Sequence, residues 1–273
     1  MAAKISIASR YPRAIAIAAH PDDIEFYMAG TLLLLKQAGV EIHYMTLSSG
    51  NCGSVELPPG RTRMTRRKES IRASGLLGAK YHETICDDLE IVYDVALLRK
   101  VAATIRQVAP SIVLTHSPQD YMEDHINTSR LAVTAAFSRG MPNFRTIPNR
   151  KHISNDITVY HAMPHSLRGP LNELIIPEFF VETTNVHDRK RLALAAHISQ
   201  KAWLDVSQGM DSYLRVMDDF SRTVGEMSVR FEHAEGWRRH NPLGFCAPEA
   251  DPLRELLASH HHLNQYYRAP ARD

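Results

Sequence analysis

The order of hydrophobic and polar segments along the chain predicts strands that alternate with helices. Short runs rich in Val, Ile and Leu are typical of strands buried on both faces of a parallel sheet. Such runs lie at 13–19, 40–47 and 111–115, with a shorter candidate at 81–85. Helical patterns occupy 30–38, 63–77, 95–108 and 126–138. This alternation predicts a Rossmann-like, doubly wound α/β fold, with a mostly parallel sheet and helices on both faces.

The second half of the chain is less regular. Strands are predicted at 157–162 and 178–183, and helices at 188–206 and 210–227. The tail from Val229 mixes aromatic residues, prolines and charges, and one helix is expected after Pro252. Because no linker or low-complexity segment divides the sequence, we expect a single domain over residues 1–273. Its core should span about 13–206, and a C-terminal helical excursion about 207–273.

Composition and charge exclude several classes of protein. The chain has 273 residues, 44% of them hydrophobic, which is enough for a sizeable core. A net charge of +2 does not indicate a nucleic-acid partner. We expect no membrane insertion and a cytoplasmic location, since there is no long apolar run or secretion signal. Cys52, Cys86 and Cys246 lack close pairing, which indicates reduced thiols rather than a disulfide framework.

Two polar loops follow predicted strands and carry the candidate chemistry. Residues 20–25 (HPDDIE) come directly after the first buried strand, where a histidine and three acids are costly unless they bind something. Residues 116–125 follow the strand at 111–115 and end in Asp124-His125. In the common strand order 3-2-1-4-5 these two strands are neighbours, so their loops meet in one crevice.

His20, Asp23 and His125 therefore form a candidate metal site. Two imidazoles and one carboxylate suit Zn²⁺, and another divalent transition metal remains compatible with them. The plain structural alternative is that His20 is hydrogen-bonded in a turn and that Asp22 and Asp23 cap the next helix. The strand-end position and the matching Asp124-His125 loop favour the metal site.

These motifs resemble the LmbE-like family of metal-dependent N-deacetylases, also called the PIG-L family. The resemblance rests first on Ala-His-Pro-Asp-Asp after the first strand and on a later Asp-His before a helix. It extends to Gly50-x-x-Gly53, Arg66-x-x-Glu69, Leu76-Leu77-Gly78, His197-x-Ser199-Gln200 and Ala234-Glu235-Gly236-Trp237. It implies that His20, Asp23 and His125 bind zinc, that Asp22 is the general base, and that the substrate is an N-acyl amine, most often an N-acetylglucosamine-type sugar.

The chemistry of these residues agrees with that expectation. A zinc ion with three protein ligands leaves a position for water and lowers the pKa of that water. Asp22 can take the proton of the water as it attacks an amide carbonyl. Asp124 is assigned a catalytic role, because a hydrogen bond from it could orient His20, His125 or Asp22; a helix N-cap is the alternative. We expect a zinc-dependent hydrolase that deacetylates a small sugar-like substrate.

One position departs from the family pattern. Many members read Asp-x-His-Pro-Asp-His in the second loop, and Met122 stands here where the extra histidine would be. A thioether cannot protonate a leaving amine or polarise an oxyanion, so another side chain must do so or the activity is altered. The candidates are His116, Tyr121, His197 and His233.

Four residues are predicted to contact substrate: Arg66, Asn51, Tyr121 and His197. By the resemblance, Arg66 points into the crevice, whereas a solvated helix face is its alternative. Asn51 belongs to the Gly50–Gly53 loop, which would let backbone approach the ligand. Taken without the resemblance, a histidine such as His197 in an Ala-rich helix is most often a core residue.

Other functions remain open from the sequence alone. The expected partner is a small N-acyl amino sugar or conjugate, and a homo-oligomer is compatible with the chain. The alternatives are a metal-binding homologue acting on a non-sugar amide and a repurposed sugar-binding protein with little turnover. A nucleotide-binding Rossmann protein would need a Gly-rich first loop, which this sequence lacks.

Overall fold

The computed structural model describes residues 7–200 and 213–267. Within them an eight-stranded sheet has the order β3-β2-β1-β4-β5-β7-β6-β8. The first five strands are parallel, and β6, β7 and β8 pair antiparallel. The strands are β1 (Arg13–Ala18), β2 (Glu41–Thr46), β3 (Lys80–His82), β4 (Ile112–Thr115), β5 (Thr158–Ala162), β6 (Phe179–Glu182), β7 (Ala234–Arg239) and β8 (His261–Leu263).

Helices cover both faces of this sheet. Ala14 and Ala16 of β1 belong to one buried cluster, which includes the leucines of α3, whereas Ile15 and Ile17 belong to a second cluster with residues of α5 and α6. Alternate residues of one strand therefore serve two cores, as the apolar run at 13–19 predicts. The helices are α1 (Ile7–Arg10), α2 (Asp23–Tyr27), α3 (Ala29–Gln37), α4 (Pro59–Leu77), α5 (Val95–Val108), α6 (Glu123–Phe137), α7 (His187–Leu194), α8 (Tyr213–Met227) and α9 (Pro252–Leu256).

The predicted doubly wound order 3-2-1-4-5 is confirmed. The strand order places β1 and β4 side by side, so the two polar loops emerge from neighbouring strands. Helix ends also follow the sequence signals: the Asp94 carboxylate accepts a 2.7 Å hydrogen bond from Leu97 N, and Gly39 and Gly78 have φ of 90° and 73°. No helix within the described ranges is long and apolar enough to cross a membrane.

The structure contains one short helix that the sequence pattern does not predict, and helices α4 and α6 begin earlier than predicted. A short helix, α2, begins at Asp23 and precedes α3, so this acid lies inside a helix rather than before one. Helix α6 begins at Glu123, which places Asp124 and His125 in its first turn. A helix start is recognised in a sequence by its apolar positions. At the starts of α2 and α6 those positions are taken by polar residues of the site, so the apolar pattern does not reveal where these helices begin.

The C-terminal segment contributes more than helices. Strand β7 lies between β5 and β6, and β8 forms the sheet edge next to β6. The β7 sequence AEGWRR lacks a strand pattern, and its burial comes from its neighbours, with Trp237 fully buried. The helix predicted at 188–206 ends at Leu194 before a turn. Residues 201–212 lie outside the described ranges. They include the end of this predicted helix and the start of the helix predicted at 210–227.

Candidate active site

The loop after β1 holds its acids in an unusual backbone conformation. Asp22 has φ 98° and ψ −25°, a left-handed geometry that is rare for a residue with a side chain. Such strain persists where the surrounding structure fixes it, often at functional sites. The next residue opens α2, and its carboxylate accepts a 2.7 Å hydrogen bond from His20 N. The turn therefore directs Asp22 and Asp23 to different partners.

His20, Asp23 and His125 converge on a common point. Their potential metal-binding atoms all lie within 4.8 Å of one another. His20 Nδ1 is 3.4 Å from Asp23 Oδ2, and His125 Nε2 is 3.4 Å from Asp23 Oδ1. His125 is buried in the first turn of α6, beside the loop after β1. The structure thus brings together the three residues that the sequence predicts as ligands.

The outer nitrogen of each imidazole meets a second carboxylate. His20 Nε2 is 3.0 Å from Asp124 Oδ2, and His125 Nδ1 is 3.1 Å from Asp120 Oδ2. A carboxylate in this position fixes the orientation and protonation of a metal-binding histidine, so the donor set fits a divalent transition metal. Asp120 was not among the predicted site residues, although its place in the second polar loop was a usable signal.

The charges of these carboxylates act on both histidines. Burial disfavours a charged His20, but the hydrogen bonds to Asp124 and Asp23 outweigh it and raise its pKa to about 9. Burial likewise opposes a charged His125, but Asp23 and Asp120 raise its pKa to about 10. The cluster therefore attracts positive charge, as a cation site requires.

Asp22 is held by two donors from outside this cluster. Tyr213 donates a hydrogen bond of 2.6 Å to Asp22 Oδ2, and Arg66 Nη2 donates one of 3.1 Å to the same oxygen. Arg66 is only 2% exposed and also donates to Pro21 O. Burial raises the pKa of Asp22, and the Arg66 charge opposes that rise. The result is a buried carboxylate that two donors hold in place.

The glycines after β2 make room for Arg66. A Cβ on Gly50, whose φ is 73°, would lie 2.5 Å from Arg66 Nε, and one on Gly53 would lie 2.8 Å from Nη1. Asp88 secures this loop by accepting hydrogen bonds from Gly50 N and Cys52 N, at 2.7 and 3.0 Å. The Gly-x-x-Gly motif therefore shapes the site around an arginine rather than around a nucleotide.

A cavity of about 330 Å³ opens over these groups. One wall is rich in aromatic rings, and Arg66 and Met122 also face the space. Tyr121 stands at the mouth with 53% of its surface exposed. The lining residues are His20, Asp22, Asp23, Phe26, Tyr27, Gly50, Cys52, Gly53, Arg66, Asp88, Leu89, Tyr121, Met122, His125, His165, Gln200 and Tyr213.

Two of the predicted substrate contacts do not line this cavity. The Asn51 side chain accepts a hydrogen bond of 2.8 Å from Asp88 N, so it secures the loop instead. His197 is 1% exposed and lies 3.5 Å from Glu25 in the interior. Asp124 also does not line the cavity, and its carboxylate bonds instead to His20 and to Leu89 N.

Most candidates for the missing proton donor also do not line the cavity. His116 Nε2 accepts a hydrogen bond of 2.9 Å from Ala19 N, and its ring stacks on His125 at 4.0 Å. His233 stacks on His187 at 3.8 Å and does not line the cavity. Tyr121 remains, together with one histidine that the sequence reasoning missed, His165. Its signal was its position shortly after a predicted strand.

Comparisons with known proteins agree with the site. A family model described as PIG-L, GlcNAc-PI de-N-acetylase, matches residues 15–136. The chain is 28% identical over 233 residues to a diacetylchitobiose deacetylase of Thermococcus kodakarensis, covering 83% of this chain and 82% of that protein. It is 27% identical over 196 residues to a 4-oxalmesaconate hydratase of Pseudomonas putida, covering 69% and 74%.

The fold agrees with a solved structure as well. The N,N'-diacetylchitobiose deacetylase of Pyrococcus horikoshii, complexed with an inhibitor, superposes with a TM-score of 0.71 over 87% of each chain, at 22% identity. The matched segment 15–136 contains both polar loops and the three converging residues of the candidate metal site. Residues 15–136 therefore match the PIG-L (LmbE-like) family, the family that the two acidic loops resemble.

Proposed function

We propose that this protein is a metal-dependent hydrolase that removes an acetyl or other acyl group from the nitrogen of a sugar-like substrate. The observation that carries the proposal is the pairing of a convergent His20–Asp23–His125 donor set with the buried Asp22 carboxylate on one cavity wall. The relative from Thermococcus kodakarensis is named for deacetylation of such a sugar, which supports the substrate class.

His20, Asp23 and His125 would hold the metal, with Zn²⁺ as the first candidate. When bound, such an ion supplies Lewis acidity towards a carbonyl oxygen and lowers the pKa of water beside it. Asp120 and Asp124 keep the two imidazoles oriented through their outer nitrogens. The protein thereby presents three fixed donor atoms and leaves the cavity side of the site for water and substrate.

Asp22 takes the proton of the attacking water. Tyr213 and Arg66 both bond to its Oδ2, which leaves Oδ1 to accept that proton. Because both donors are buried, the carboxylate cannot swing away from the reacting water. Fixing the base in this way supplies general base catalysis, which contributes roughly 10²–10⁴ to rate.

The cavity suits one sugar ring and its acyl group. Its volume of about 330 Å³ is at the lower end of small-molecule sites. Phe26, Tyr27 and Tyr121 offer aromatic faces, and Arg66 and Asp88 bring polar groups to the same lining. Aromatic rings with a few fixed polar groups are the usual way for a pocket to orient a polar ring with apolar faces.

A second candidate function is hydration of an unsaturated acid, as the name of the Pseudomonas putida relative describes for that protein. Met122 favours it, because addition of water to a double bond has no leaving amine to protonate. Arg66 argues against it, since its charge is already paired with Asp22 and a polycarboxylate needs free cations. N-deacylation therefore fits the cavity better.

The test is a screen of the zinc-loaded protein against N-acetylated sugars, non-sugar acetamides and unsaturated dicarboxylic acids. Release of free amine and acetate from a sugar supports the proposal, and binding without release would point to a sugar-binding protein. We expect Asp22→Asn to retain one metal per chain and to lose at least about 100-fold in turnover. Asp219→Asn, on the exposed side of α8, is the matched control. A fully active Asp22→Asn variant would refute the mechanism.

A further inference from the structure

The cavity wall lacks a proton donor at Met122. An amide bond breaks only when its nitrogen leaves as a neutral amine, so that nitrogen must receive a proton. Asp22 can accept the proton of the water, but a thioether at Met122 cannot supply one to the amine. If the protein has the proposed deacylase function, another side chain on the wall must therefore provide the proton.

Most polar groups of the lining already have partners. Arg66 and Tyr213 bond to Asp22, and Asp88 accepts hydrogen bonds from the Gly50–Cys52 backbone. His20, Asp23 and His125 form the metal-binding cluster. The remaining groups on the wall that carry a transferable proton are Cys52, Tyr27, Tyr121 and His165.

His165 is positioned by rings rather than by hydrogen bonds. It follows β5, the strand next to β4, so its loop opens at the same edge of the sheet as the two polar loops. Its ring stacks on Phe220, with centroids 6.2 Å apart and planes 17° apart, and lies 6.4 Å from the ring of Tyr121. No described residue bonds to its ring nitrogens, which leaves them for a ligand.

The two residues after His165 have a strained backbone, and this turn helps to fix the position of His165. Ser166 and Leu167, with φ of 60° and 56°, are consecutive residues with side chains in the left-handed region. Each such residue costs about 1 kcal/mol or more and persists where the fold requires it. Leu167 is buried, and Ile175 N donates a hydrogen bond of 2.8 Å to its carbonyl. The turn therefore holds the imidazole against the cavity.

The four side chains on the wall that carry a transferable proton differ in the direction of their pKa shifts. Burial lowers the pKa of His165, while Asp120 and Asp23 oppose that shift, so its protonated ring gives up a proton more readily than a phenol or a thiol on the wall. Burial raises the pKa values of Tyr27 and Tyr121 above the ordinary phenol range. Burial and nearby acids also raise the pKa of Cys52. Proton transfer is most efficient when the pKa of the donor is near the working pH.

We propose that His165 is the general acid that protonates the leaving nitrogen, in the place that Met122 leaves vacant. Water adds its oxygen to the carbonyl carbon as Asp22 removes one proton. The C–N bond then breaks, its electron pair stays on nitrogen, and the protonated imidazole of His165 delivers one ring proton to that nitrogen and becomes neutral. The products are the carboxylic acid and the amine. Asp22 then loses its proton to solvent and His165 regains one, so both return to their starting states.

The test compares two reactions of the same protein. In His165→Gln, hydrolysis of an N-acetyl sugar should fall about 100-fold, because an alkylamine leaves only when protonated. Hydrolysis of 4-nitrophenyl acetate should fall less than about threefold, because a nitrophenolate leaves without a proton. His165→Phe keeps the packing on Phe220 without the proton and should give the same split. His152→Gln, an exposed histidine away from the cavity, is the control.

The outcomes are distinguishable. If the wild-type protein releases amine and both His165 variants keep that rate, the inference is wrong and the deacylase function stands. If amide and ester rates fall together while metal binding is retained, His165 has only a structural role and the inference is overturned. If the wild-type protein releases no amine from any substrate, the proposed function itself fails and the inference with it.

Discussion

Tyr213 and Asp22 are 191 positions apart in the chain, and the phenol of the first donates a 2.6 Å hydrogen bond to the carboxylate of the second. Helix α8 thus contributes directly to the loop after β1. Arg66, from α4, bonds to the same carboxylate oxygen. The candidate base is therefore held between two helices that are remote from it in sequence.

Replacing Tyr213 with Phe should lower kcat about tenfold and leave metal affinity unchanged. A hydrogen bond to a charged group contributes about 1.5–3 kcal/mol, and its loss frees the Asp22 carboxylate to rotate. Steady-state kinetics on an N-acetyl sugar and a zinc titration measure the two effects. Tyr266→Phe, at a phenol whose residue is 75% exposed, is the control. Unchanged kcat in Tyr213→Phe would show that Arg66 alone holds the base.

Replacing Asp120 with Asn should weaken zinc binding by about 10–100-fold. The carboxylate lies on the outer nitrogen of His125, and removing such a partner lowers the affinity of the ligand for metal by about this factor. Competition with a chelator of known affinity measures the change without any activity assay. Asp219→Asn should bind zinc as the wild-type protein does, and an Asp120→Asn variant with full affinity would contradict the assignment.

Two glycine substitutions should act in opposite directions. Gly50→Ala places a methyl group 2.5 Å from Arg66 Nε at a positive φ, so we expect about 1–3 kcal/mol of destabilisation and reduced turnover. Gly75→Ala, in α4 with no atom within 4 Å of the new Cβ, should stabilise by about 0.5–1 kcal/mol. Chemical denaturation of both variants measures the difference. Equal stabilities would show that the Arg66 side chain moves away from the new methyl group without a cost in stability.

Buried His161 should make the protein less stable at acid pH. Burial lowers its folded-state pKa to about 4, and an unfolded chain has a pKa of about 6.5. Between these pH values the unfolded state binds more protons than the folded state. The contribution of neutral His161 to the free energy of unfolding is therefore fully present above pH 6.5 and is lost as the pH falls towards 4. Removing the group in His161→Gln should reduce the slope of unfolding free energy against pH by up to about 1.4 kcal/mol per unit. His152→Gln should leave the slope unchanged, and an unaltered slope in His161→Gln would refute the assignment.

The candidate metal ligands could be predicted from the sequence because they lie at strand ends. His20 and Asp23 follow a run of apolar residues that is typical of a buried strand, and His125 follows a second one. The strand order that makes these loops neighbours is a general rule for parallel sheets, so the proximity of the three ligands can be predicted from the sequence itself.

The support for the base could not be read from the sequence. Tyr213 and Phe220 lie on one apolar stripe of α8, which predicts packing in the core. In the structure Tyr213 bonds to Asp22 and Phe220 stacks on His165. Which side of the stripe meets the site depends on how α8 packs on the sheet, and that is set by tertiary contacts rather than by local pattern. Strand β7 was missed for the same reason.

The position of β7 also governs the order in which the sheet can be assembled. Strands β1 to β5 pair with one another as parallel neighbours and are complete by residue 162. Among the described strands, β6 has no backbone pairing with the parallel half until β7 is made, because β7 pairs with β5 on one side and with β6 on the other. During synthesis the growing chain therefore carries an open edge on β5 over a long interval, and an unpaired edge invites pairing with other chains. Arrival of residues 234–239 closes that edge and joins the two halves of the sheet.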